Sequence, residues 1–131
     1  MQTTGDITNI RAGDTITMDI AYLVLGAITI NGILTTSASN YALSGTTLNI
    51  TSTGNLNING STLTLSGTSG NLFTKDPSGT FTAGTNSTVV FSGNGSATLN
   101  SGAVTFKNLT SSGTGTKTLG GDIVVGGNLV V

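Results

Sequence analysis

The residues in this chain that could do chemistry are few. Among its 131 residues there is no histidine and no cysteine, and all five acids are aspartates: Asp6, Asp14, Asp19, Asp76 and Asp122. Hydrolytic or lyase chemistry on a polymer needs clustered carboxylates, often with calcium. Asp14 and Asp19 are five positions apart, so on one strand they would face opposite sides. No two aspartates share a strand-face spacing, and Asp6 and Asp14 read as turn closers. Gly120-Gly121-Asp122 superficially matches a calcium-binding nonapeptide, but it occurs once and lacks the second glycine–aspartate unit. The cations Arg11, Lys107 and Lys117 have neither acid nor histidine beside them and read as solvated charge. Lys107 and Lys117 also suit a role as guards against wrong strand pairing. The expectation is a non-enzyme with no catalytic residue, cofactor or metal.

The elements that would carry these residues are strands. Hydrophobic residues make up 36% of the chain and charged residues only 7%, against roughly a quarter in ordinary globular domains. Solubility must therefore come from threonine, serine and asparagine, which suit strand surfaces and turns. A net charge of −1 gives no electrostatic case for nucleic acid or an anionic membrane. The longest apolar run, Ala21 to Ile30, is too short to span a bilayer as a helix, and the start of the chain has no signal-peptide pattern. No window holds a helical apolar stripe. Alternation is general instead: Ile16, Met18 and Ile20; Leu48 and Ile50; Leu56 and Ile58; Leu63 and Leu65. Twenty glycines punctuate these runs. The stretch 73–83 holds the only proline, and it is expected to protrude as a loop turning at Asp76-Pro77-Ser78-Gly79 from a single domain spanning 1–131.

Repeats organise the strands. SGNGSATLNSGAVTFKNL from Ser92 aligns with SGTGTKTLGGDIVVGGNL from Ser112, so that Leu99 falls on Leu119 and Leu109 on Leu129, 20 apart. Val104 and Phe106 match Ile123 and Val125 if one residue is skipped. A second alignment in the middle sets Leu48 on Leu63 and Ile50 on Leu65, 15 apart. Like-on-like repetition predicts an all-β parallel β-solenoid of about six to seven coils, in which each coil stacks its own copy. The hand is expected to be right, as in parallel crossovers generally. An antiparallel β-sandwich is the alternative. Phe91 and Phe106 belong at inward positions. Asn108 and Asn128 are placed to stack as an amide ladder. The last strand has no polar cap, so Ile123, Val125, Leu129, Val130 and Val131 are expected to form an edge that pairs with a further coil or a second copy.

The segment 87–131 resembles repeats of large bacterial and archaeal surface proteins. It carries Val89 to Phe91, Gly93 to Gly95, Thr98-Leu99, Phe106 to Leu109, Ile123 to Val125 and Leu129 in their order of strand and turn. The resemblance implies an extracellular, cell-surface structural part of the adhesin or fibre type. Self-association into a filament is the expected partner behaviour. The alternative is a carbohydrate-binding or adhesive module of a longer surface protein, with glycans engaged near 73–83. Sequons at Asn49, Asn59, Asn86, Asn94 and Asn108 are candidate glycosylation sites if the source modifies such proteins.

Overall fold

A computed structural model describes residues 6–20 and 22–131. No helix occurs among them, and every strand pairing is parallel. The chain is a parallel β-solenoid of six three-strand coils. The first holds β1 (Thr8–Ile10), β2 (Thr15–Thr17) and β3 (Tyr22–Val24); the second β4 (Ala27–Ile30), β5 (Ile33–Thr35) and β6 (Ala42–Gly45). The third holds β7 (Thr47–Ile50), β8 (Asn55–Asn57) and β9 (Thr62–Leu65); the fourth β10 (Asn71–Lys75), β11 (Thr80–Thr82) and β12 (Thr88–Phe91). The fifth holds β13 (Ala97–Ser101), β14 (Val104–Phe106) and β15 (Asn108–Ser111); the sixth β16 (Lys117–Thr118), β17 (Ile123–Val125) and β18 (Leu129–Val130).

Each face of the coil stacks on the same face of the next. The first face runs β1-β4-β7-β10-β13-β16 and the third β3-β6-β9-β12-β15-β18. The second face is divided into β2-β5-β8-β11 and a separate pair, β14-β17. Alternation along each strand sends one set of side chains to the axis. Leu43, Leu63, Val89 and Leu109 are aligned in the third sheet, and all four are buried. Ile28, Leu48 and Phe73 do the same in the first sheet. Parallel pairing of this kind leaves no room for the sandwich.

The coil period differs from the expected one. Leu43 pairs Leu63 at a separation of 20, but Leu63 pairs Val89 at 26, and Leu48 pairs Phe73 at 25. The separation of 15 that aligned Leu48 with Leu63 is a step between the first and third faces of one coil, not between coils. At the C-terminal end the reading holds: Leu109 pairs Leu129, and Val104 and Phe106 pair Ile123 and Val125.

Residues 73–83 do not protrude. Phe73 lies in β10 and is fully buried, so the strand cannot lift from the core. The turn inside the stretch is real: Gly79 N–H donates to the Asp76 carbonyl at 3.0 Å, and Ser78 N–H to the Asp76 carboxylate at 2.9 Å. Phe73 and Phe81 meet edge to face at 5.1 Å, and Phe106 meets both at 5.5 and 6.0 Å. Phe106 also meets Phe91 at 6.4 Å, so one ring sits among three.

The repeated glycines have a steric cause. A Cβ on Gly113 would lie 2.0 Å from the Gly93 carbonyl oxygen, and one on Gly93 would lie 2.0 Å from that of Gly67. Coils touch backbone to backbone along this corner, so only glycine fits there.

Candidate assembly edge

The corner between β15 and β16 is fixed by a lysine. Lys117 Nζ donates to the carbonyls of Gly93 at 2.9 Å and Thr114 at 2.7 Å, and also to that of Gly95. These carbonyls come from two stacked corners, so the ammonium ties the sixth coil to the turn above β13. Lys117 is therefore held by backbone oxygens, and the reading of it as solvated charge is corrected. Its long stem reaches the corner from a half-buried position.

Asn108 does a similar job by a different route than an amide ladder. Its Nδ2 donates to the Ser87 carbonyl at 2.9 Å, and its Oδ1 accepts from the Asn128 backbone N–H at 3.0 Å. One side chain thereby joins the backbones of the coils before and after its own. An amide-to-amide contact does occur elsewhere, from Asn31 Nδ2 to Asn9 Oδ1 at 2.7 Å.

These ties present the sixth coil as an open cup. A cavity of about 410 Å³ is bounded by Leu99, Leu109, Lys117, Leu119, Ile123 and Leu129, among others. Inward side chains of the fifth coil are covered, Leu99 at 6% and Leu109 at 2% exposure. Their sixth-coil counterparts Leu119 and Leu129 stand at 53% and 56%. The expected edge residues divide by parity. Ile123 and Val125 pack against the core, Leu129 and Val131 line the cup, and Val130 pairs Thr110 and is exposed on the outward side. Leu119 belongs to the cup although it was not among the expected edge residues; its place in the repeat opposite Leu99 was the signal that could have found it. The first coil has an exposed apolar strand position too, Ile16 on β2.

The aspartates remain dispersed. Asp14 accepts from exposed Arg11 at 3.3 Å, Asp76 closes its turn, and Asp19 and Asp122 are exposed. No group of three or more metal-ligating acid, histidine or cysteine side chains occurs among the described residues. The sequon asparagines differ in availability. Asn49 and Asn86 are exposed, Asn94 accepts from Thr114, and Asn59 and Asn108 are engaged in hydrogen bonds with neighbouring coils. No family model, no curated protein and no solved structure matches the chain.

Proposed function

We propose that this chain is a non-catalytic structural element of an extracellular surface fibre, joined to its neighbours end to end by parallel strand pairing. The supporting observation is the sixth coil: three sheets end there on bare strands around a cup of uncovered Leu119 and Leu129. A further coil of the same kind would cover both leucines and extend all three ladders at once. The first coil of a second copy has the matching three strands and the same direction. The extracellular setting rests on the Thr/Ser/Asn-rich surface and on the resemblance of 87–131 to surface-protein repeats.

Sedimentation velocity and negative-stain electron microscopy over a concentration series test the reading. Each unit adds about 29 Å of rod, six coils at ~4.8 Å. The expected result is concentration-dependent rods in multiples of that length. The double variant Leu119→Lys/Leu129→Lys, with unchanged circular dichroism, is expected to stay monomeric. A wild-type chain that remains a monomer at every concentration, with no rods, overturns the reading.

A further inference from the structure

The second face breaks between coils four and five, and the break has a cause in the corners. In the fourth coil the corners flanking the second-face strand are 76–79 and 83–87; in the fifth they shrink to 102–103 and residue 107 alone. The shorter perimeter of the fifth coil takes β14 out of line with β11, and β14 pairs only β17. β11 is left standing over them as a ledge, unpaired on that side. Two hollows, of about 300 and 280 Å³, lie along the foot of the ledge and share Phe81 and Thr105. Their floor is the outward surface of β14 and β17, including exposed Val124 at 59%.

The ledge offers backbone groups as well as surface. Thr80 N–H donates to Gly54, and the Thr82 carbonyl accepts from Ile58. Those groups point back to β8, so by parallel-ladder alternation the N–H and C=O of Phe81 point to the empty side. The charge is also uneven. Two of the chain's four cationic side chains, Lys75 and Lys107, line the two hollows, with Asp122 beside Lys75 only. The hollow holding Lys107 contains no acid.

We propose that this step binds an extended peptide segment of another protein, which adds as a parallel strand to the free edge of β11. The peptide lies across Thr105 and Val124, with a small apolar side chain in the first hollow and an acidic one, two residues later, against Lys107. Strand addition of this type draws affinity from the backbone and specificity from alternate side chains. The direction follows from β11, which runs from the Lys75 hollow toward the Lys107 hollow. A glycan would use the hollows but has no need of an open strand edge, so the peptide is favoured. The site is separate from the axial edge and does not depend on fibre formation.

The test uses two end-blocked synthetic pentapeptides, threonine-valine-threonine-aspartate-threonine and the same composition with valine and aspartate exchanged. Binding to the full chain is followed by amide NMR shifts. The first peptide is expected to shift Phe81, Thr105 and Val124 at concentrations up to about 1 mM, and the exchanged peptide to bind about tenfold more weakly. Val124→Asp, an outward substitution that leaves the core untouched, is expected to reduce binding of the first peptide by about tenfold, because it puts a carboxylate beside Asp122 in the hollow that takes the peptide's valine. Equal binding of both peptides, or no shift with either, overturns the proposal. So does an acidic oligosaccharide, oligogalacturonate, shifting these residues when neither peptide does.

Discussion

Two residues show how the coils are held in register. Asn108 satisfies a carbonyl on one neighbouring coil and an N–H on the other. Asn108→Ala removes both bonds and leaves the Ser87 carbonyl and the Asn128 N–H without that partner. A loss of about 1–3 kcal/mol in urea unfolding is expected, with aspartate failing to restore the donated bond. Gly93 sits where a Cβ would meet a carbonyl at 2.0 Å. Gly93→Ala therefore forces the fourth and fifth coils apart at that corner, and about 3 kcal/mol of destabilisation is expected by the same measurement. If both variants unfold like wild type, the backbone contacts described here do not hold the stack.

At the scale of the strand and coil, the second face lacks a β11–β14 ladder, and aromatic packing bridges that seam instead. Phe106 on β14 reaches Phe73 and Phe81 of the fourth coil, both edge to face. Phe106→Ala is expected to destabilise by about 3–5 kcal/mol. Hydrogen exchange is expected to show lost protection in coils five and six first, because each coil leans only on its neighbours. Uniform loss across all six coils would contradict a seam there. The seam also explains what was legible in the sequence. The repeat at 20 is visible at the C-terminal end because strands and corners together keep the same total length from the fifth coil to the sixth, with longer corners offset by shorter strands. In the middle the corners lengthen, so Leu63 meets Val89 after 26 residues and the alignment fails. The misleading spacing of 15 arose because the first and third faces of the third coil use the same alternating Thr-Leu pattern. β7 and β9 look like copies though they belong to one coil. The proline turn at Asp76 was readable from its residue types, but the burial of Phe73 depends on a neighbour 25 positions away. The Lys117 corner was equally hidden, since its acceptors are backbone carbonyls and leave no side-chain signature.

At the scale of the whole molecule, the balance of forces is almost wholly apolar and backbone-directed. One ion pair is found among the described residues, Arg11 with Asp14, and the Arg11 side chain is 83% exposed. Such a pair contributes about 0–1 kcal/mol and is screened by salt. The buried column, by contrast, runs through the first five coils, from Ile10 to Leu109. End-to-end association through Leu119 and Leu129 would draw on the same apolar term. Raising sodium chloride from low to physiological levels is therefore expected to leave both the unfolding midpoint and the rod length distribution nearly unchanged. Sodium sulfate, excluded from apolar surface, is expected to raise both. Cooling toward the freezing point is expected to shorten the rods, because apolar association weakens in the cold. Light scattering on the wild type and on Leu119→Lys/Leu129→Lys separates the two contributions. Sulfate should still stabilise the variant's fold while producing no rods. Rods that dissolve in sodium chloride instead would point to charge as the glue, and the leucine cup would lose its place in the assembly.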